Sequence, residues 1–242
     1  MTGPDCRTLP TTQDAKRQLR VVLGGVQGRM GQLASAAIEA HTDFSLAGGL
    51  TSADDPEQLL QSDVAEIYLD FTVASAARVL APRAARAGLS PVVGTSGLDQ
   101  ADLSALAEAC EQGGVGGIVV PNFSIGAVTQ MLAAERAARH LTCDGIIEIH
   151  HTDKRDSPSG TALATAQLIA AAAGTEAPEI TSQRHENVLA IQSVNFSSPH
   201  ERLMLSHTVS NRQAYLPGLL LALRRVRNLN GLVIGLDKLL HE

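Results

Sequence analysis

The sequence predicts an α/β fold: a Rossmann-like dinucleotide-binding domain with an inserted α+β substrate domain that contains a mixed sheet. Three observations carry that expectation. From Gln18 onward, short β-branched runs alternate with Ala-rich helical stretches, the pattern of repeated βαβ units around a parallel sheet. A glycine-rich turn, Gly25-Val26-Gln27-Gly28-Arg29-Met30-Gly31, follows the first run and opens a helix, the place where such a fold meets a nucleotide. After Pro121 the rhythm changes, and two strand-like runs follow each other with no helix between them, which needs a mixed or antiparallel sheet.

In chain order, strands are expected at 19–23, 45–50, 65–71, 91–93 and 117–120. Their continuous apolar character suits strands covered by helices on both faces. Helices are expected between them at 30–40, 75–87 and 101–112. A long helix at 125–141, a strand at 145–150 and a helix at 161–173 come next, followed by strands at 188–196 and 202–209. The stretch 175–186, with Pro178 and several polar residues, reads as a loop. A last amphipathic helix at 219–227 has a Leu-rich face suited to the outer layer of the first sheet. The dinucleotide-binding domain is therefore expected at 18–122 and 212–242 and the substrate domain at 123–211, behind a loose tail at 1–17.

Composition narrows the function. A chain of 242 residues, 44% of them apolar, can build a full core. A formal charge of -6 and 2% aromatic residues, with no Trp, provide neither the basic stripe nor the stacking platforms of a nucleic-acid binder. Cys6, Cys110 and Cys143 show no C-x-x-C spacing, so neither a disulfide framework nor a zinc site is expected. No apolar run approaches the roughly 20 residues that cross a bilayer, and the first residues do not resemble a signal peptide. A soluble, cytoplasmic protein without a membrane or nucleic-acid partner is expected.

In the glycine-rich turn, Gly25 and Gly28 permit a tight bend. The helix start offers free N–H groups and the positive end of its dipole to a pyrophosphate. Gln27 stands where a central glycine is usual, and a βα turn without ligand would use the same glycines. The acid that holds an adenine ribose is expected about 20 residues on. Here the strand ends in Gly48-Gly49-Leu50-Thr51, with Asp54 and Asp55 a little later and no Arg in place of the acid. NADH and NADPH both stay open, with Arg29 the nearby cation for a phosphate.

The chemistry concentrates in Glu148 to Thr161, EIHHTDKRDSPSGT. His150 is a candidate general acid because imidazole titrates near neutral pH. His151 can share its site because the strand ends there. Lys154 can hold a carboxylate or stabilise developing negative charge, and it argues against a metal at the His pair. Ser159, Gly160 and Thr161 open a helix, and hydroxyls plus a closely approachable backbone there form an anion site for a small dicarboxylate. Each feature has an ordinary structural reading: a His pair at a strand end, an N-cap in S-G-T, an Asx turn at Asp156 ahead of Pro158. Their concentration in one loop favours a site.

With these residues in view, the chain resembles the 4-hydroxy-tetrahydrodipicolinate reductases, also called dihydrodipicolinate reductases, of diaminopimelate and lysine biosynthesis. The resemblance rests on GVQGRMG at 25–31, LDFT at 69–72, GTSG at 94–97, PNFSIGAV at 121–128, the specific E-x-H-H-x-x-K-x-D-x-P-S-G-T-A at 148–162, and YLPGLLLALRRV at 215–226. It implies an oxidoreductase that uses NADH or NADPH. Gly25, Gly28, Arg29 and Met30 would line the pyrophosphate. Phe71, Thr72, Gly94, Thr95, Ser96, Pro121, Asn122 and Phe123 would surround the ribose and nicotinamide. His150 would donate the proton with Lys154 as second catalytic group, while His151, Lys154, Ser159, Gly160 and Thr161 would grip two carboxylates. The implied reaction loses water from a hydroxylated cyclic imine and adds hydride, giving tetrahydrodipicolinate. The implied assembly is a homo-oligomer, a tetramer built through the sheet of the substrate domain.

Three departures stand out. Gly49 occupies the place of the family's ribose-binding acid, the region 186–205 looks shortened, and Ser96 and Ser157 replace a Thr and an Ala. They motivate two alternatives: a paralogue reducing another cyclic imine or unsaturated carboxylate in a secondary pathway, and a non-redox homologue.

Overall fold

The computed structural model describes residues 17–240; all of the expected tail except Arg17 lies outside the described residues. Arg17 is tied down by an ion pair to Glu66 at 2.7 Å.

Two sheets organise the chain. The first takes β1 (Leu19–Gly24), β2 (Phe44–Leu50), β3 (Ile67–Asp70), β4 (Ser90–Val93) and β5 (Gly117–Val119), with α1 (Arg29–Glu39), α2 (Ala74–Arg86) and α3 (Gln100–Gly113) as crossovers. Strand β10 (Leu232–Ile234) completes it in the order β10-β5-β4-β3-β1-β2, every pair parallel. Val21, Val22, Leu23, Ile67, Tyr68, Leu69, Val92 and Val93 are fully buried, because apolar layers cover both faces of the central strands. Helix α6 (Leu216–Arg225) returns to one of these layers through Leu219, Ala222 and Leu223.

The second sheet has the order β7-β6-β8-β9, from β6 (Thr142–His150), β7 (Ile180–Arg184), β8 (Ala190–Ser198) and β9 (Glu201–Val209). Strands β6 and β7 run parallel across α5 (Gly160–Ala173), whereas β6–β8 and β8–β9 are antiparallel. Helices α4 (Ile125–Ala138) and α5 cover one face with Ala134, Ala162, Ala166 and Ile169 against Ile146, Val194 and Phe196. Buried Gln130 donates to the carbonyls of Gln192 and Leu205, both at 2.8 Å, and Gln192 donates to Thr165 at 3.0 Å. These bonds link both helices to the sheet. The opposite face is open, and Ile147, Leu203 and Met204 stand exposed along a groove of about 380 Å³.

Several boundaries differ from the sequence reading. The expected loop at 175–186 contains β7, a polar edge strand of alternating half-buried and exposed residues, whose pattern carries little apolar signal. Strand β10 was not expected; three residues after Gly231 are too short to show a period. The last helix starts at Leu216 because Pro217 sits in its first turn, where a missing N–H costs nothing. Across and just beyond the region 186–205, β8 and β9 hold nine residues each and pair without a break from Ala190↔Val209 to Ser198↔Glu201.

Candidate active site

The carboxyl ends of the parallel strands form the nucleotide side of the site, as expected at a switch point of strand order. Gly25 follows β1 with φ of 78°, a conformation that favours glycine, and its carbonyl accepts the Gly28 N–H at 2.9 Å. A Cβ on Gly31 would lie 2.1 Å from that carbonyl oxygen, so the turn closes directly onto α1. Gly28 caps α1 without a side chain, and no acid occupies the first turn, leaving the helix start free to receive an anion. The residues present therefore fit a pyrophosphate. Met30 lies half-buried beside this turn, and Arg29 lines a cleft of about 400 Å³ with His151, Asp153, Glu186 and Arg212.

The next strand ends set the floor. Phe71 and Phe123 meet edge to face at 5.6 Å between ring centres. Gly94 lies beneath them: a Cβ there would stand 2.4 Å from the Phe71 ring and 2.7 Å from that of Phe123. Fully buried Asp70 accepts hydrogen bonds from Tyr68 at 2.6 Å, Thr95 at 2.5 Å and the Thr72 hydroxyl at 2.8 Å. The hydroxyls of Thr72 and Thr95 thus turn inward and join the ends of β3 and β4 through Asp70. Ser96 and Pro121 are exposed at the rim. Sequence reading did not single out Asp70; an acid closing a continuous apolar run was the available signal.

The substrate side grows from the end of β6. Glu148 is fully buried and its carboxylate contacts His150 Nδ1 directly. Its other oxygen accepts from Arg184 Nη1 at 3.0 Å. Burial raises the Glu148 carboxyl, but the Ser182 hydroxyl, Arg184 and His150 outweigh it and hold the group below the usual range. Burial pushes the His150 imidazole down, Glu148 opposes this, and Lys154 and Arg184 add to it. Lys154 Nζ donates to both carboxylate oxygens of Asp156, at 2.9 and 2.8 Å. Asp156 therefore holds Lys154 beside the loop rather than merely closing a turn.

At the start of α5, Ser159 is nearly fully buried and its hydroxyl accepts the Ala162 N–H at 3.2 Å, an N-cap. A Cβ on Gly160 would meet nothing within 4 Å, so the protein's own packing does not require a glycine there and the backbone is open to a ligand. Thr161 accepts from Asn122 Nδ2 at 3.2 Å, and Asn122 in turn accepts the Ser124 N–H at 2.8 Å. That bond joins the two sides of the cleft. Sequence reading missed Arg184, which lies in the stretch read as a loop.

Two family models share out nearly the whole of this architecture: dihydrodipicolinate reductase, N-terminus, matches 19–123, and dihydrodipicolinate reductase, C-terminus, matches 126–240. The chain belongs to the dihydrodipicolinate reductase family. A relative named 4-hydroxy-tetrahydrodipicolinate reductase from Moorella thermoacetica is 37% identical, over 92% of this chain and 98% of its own. One of the same name from Legionella pneumophila is 36% identical, over 91% and 99%. Among solved structures, a dipicolinate-bound dihydrodipicolinate reductase from Paenisporosarcina sp. TG-14 superposes with a TM-score of 0.82 at 27% identity, covering 92% of this chain and 99% of that one. Within the family, the E-x-H-H-x-x-K loop thus sits on a full two-sheet frame.

Proposed function

We propose that this family member reduces 4-hydroxy-tetrahydrodipicolinate to tetrahydrodipicolinate with loss of water, as its relatives are named for doing. The observation that carries this reading is the Asn122–Thr161 bond, which brings the glycine-lined nucleotide side against a helix start and loop bearing His150, His151 and Lys154. Residues 18–122 with 212–242 serve as the nucleotide domain and 123–211 as the substrate domain.

A nicotinamide dinucleotide, when bound, supplies the hydride. Gly25, Gly28, Arg29 and Met30 take its pyrophosphate, and the Phe71–Gly94–Phe123 floor, with Thr72, Thr95, Ser96, Pro121 and Asn122 around it, orients the ring. Lys154 and His151 hold one substrate carboxylate, and Thr161 with the free N–H groups at Gly160 holds the other. The two carboxylates bring negative charge beside His150, favour its imidazolium, and prepare its Nε2 to deliver a proton to the enamine-like carbon left by reduction.

For the nucleotide we propose NADH. Gly49 lies inside β2, where a Cβ would press on Val26 at 2.9 Å, so the strand-end position belongs to Thr51. Asp54 folds back there and accepts from the Thr51 N–H at 2.7 Å and its hydroxyl at 2.6 Å. These bonds hold the Asp54 carboxyl below its usual range. A carboxylate at that place suits ribose hydroxyls and repels a 2′-phosphate. Arg83 is taken up by Glu57, and Arg29 lines the cleft.

We further propose a cytoplasmic homo-oligomer assembled through the open face carrying Ile147, Leu203 and Met204; light scattering showing a monomer would overturn that. The reaction is tested by supplying 4-hydroxy-tetrahydrodipicolinate and following loss of reduced nucleotide. Absence of turnover with both nucleotides overturns the reaction. A kcat/KM about tenfold higher with NADPH than with NADH, some 1.4 kcal/mol, overturns the cofactor assignment alone.

A further inference from the structure

We propose that Glu148 and Arg184 are positioning residues for His150: Glu148 keeps Nδ1–H turned inward so that Nε2 faces the substrate, and Arg184 joins that orientation to the substrate loop. The inference rests on the reaction proposed above but is read from different atoms. Glu148 and His150 are two apart on β6 and therefore share a face. In the parallel register, Ser182 stands opposite Glu148 and Arg184 opposite His150. The Arg184 fork then spans four acceptors: the Glu148 carboxylate at 3.0 Å, the Lys154 carbonyl at 3.3 Å, the Asp156 carbonyl at 2.6 Å and the neighbouring Gln183 carbonyl at 2.7 Å. One guanidinium thus fixes both the carboxylate behind the imidazole and the backbone of the loop that carries Lys154.

Stability alone does not account for this arrangement. Burying an ion pair costs desolvation, and apolar residues of similar volume do as well or better in many proteins. A carboxylate against Nδ1 does something an apolar residue cannot: it selects one tautomer and supports the charged ring. The charged groups that act on His150 are Glu148 from β6, Arg184 from β7 and Lys154 from the loop, the last paired with Asp156. Of these, Glu148 favours the imidazolium and the two cations oppose it. A lysine at 184 would keep the charge but lose the planar fork.

The test uses the full chain in three measurements. Nitrogen-15 NMR of the unliganded protein above the His150 titration should show the Nδ1–H tautomer; a predominant Nε2–H tautomer overturns the proposal whether or not the substrate is turned over. Glu148→Gln should move the basic limb of the kcat/KM pH profile down by about one unit and lower kcat about tenfold or more, with NADH affinity within about twofold of the parent. An unmoved limb overturns the role of Glu148. Arg184→Lys should raise KM for the substrate about tenfold with a smaller change in kcat; equal loss in kcat and unchanged KM overturns the link to the loop. Should Glu148→Gln fail to fold, the NMR assignment and Arg184→Lys still decide.

Discussion

The two sides of the cleft are made of different materials. On the parallel-sheet side buried polar groups bond one another, as Asp70 shows with its bonds to Tyr68, Thr72 and Thr95, and the surface is largely the open helix start at Gly28 and the Phe71–Phe123 pair over Gly94, with Arg29 at its edge. On the mixed-sheet side the surface is charged side chains, His150, Lys154 and Asp156, braced by Glu148 and Arg184 from behind. The difference suits the two tasks proposed for them. A large, fixed cofactor is recognised by shape and helix-end dipole, whereas a small dianion undergoing proton transfer needs groups that change or stabilise charge.

Changes of charge and changes of volume should therefore separate the two sides. The largest effect is expected from His150→Gln, which should lower kcat by about 10²–10⁴-fold while leaving NADH affinity and substrate KM nearly unchanged in steady-state and fluorescence measurements. A variant weakened mainly in KM would erase the contrast. Gly94→Ala comes next. Its methyl must enter the Phe71–Phe123 contact, so nucleotide Kd should rise at least about tenfold, with melting temperature also reduced. Unaltered binding and stability would show that the floor yields.

Thr161→Val tests the seam. It removes the hydroxyl that accepts from Asn122 and should raise substrate KM about tenfold, with kcat within a few-fold of the parent. A drop confined to kcat would move Thr161 into the chemistry. The smallest effect concerns acid. Glu148 and Glu66 are both held below the usual carboxylate range, their hydrogen bonds and cationic partners outweighing the burial that raises them. Their stabilisation is present above about pH 4.5 and is lost as pH falls through their lower folded values. Melting curves should therefore fall below that pH, and less steeply in Glu148→Gln; identical acid profiles would count against a stabilising pair.

Much of this was legible from residue order because the relevant signals are local. The βαβ rhythm announced the parallel sheet, and one continuous segment, 148–161, held most of the charged site. Arg184 was hidden for a physical reason. It reaches the site through strand pairing across 36 residues of chain, and its strand is a polar edge with no apolar period. Thr72 and Thr95 show the same limit from another side: residue order places them at strand ends but does not reveal that their hydroxyls bond the buried Asp70. Beside Gly49 the strand ends at Leu50 as expected, and spacing places Asp54 nearby without revealing that its carboxylate folds back onto Thr51.

The return of the chain to its first sheet sets the order in which the protein can be made. Strand β10 pairs with β5, and Leu219, Leu223 and Val226 fill a layer beside Val21, Ile67 and Ile118, yet roughly a hundred residues of the other sheet are synthesised in between. While a ribosome is still extending the chain, β5 is an uncovered edge and one face of the nascent sheet lacks its apolar cover, both hazards for off-pathway association. The segment from α6 to β10 thus closes the first sheet: its docking ends the exposed phase, and it can do so only after the intervening residues of the second sheet have been synthesised.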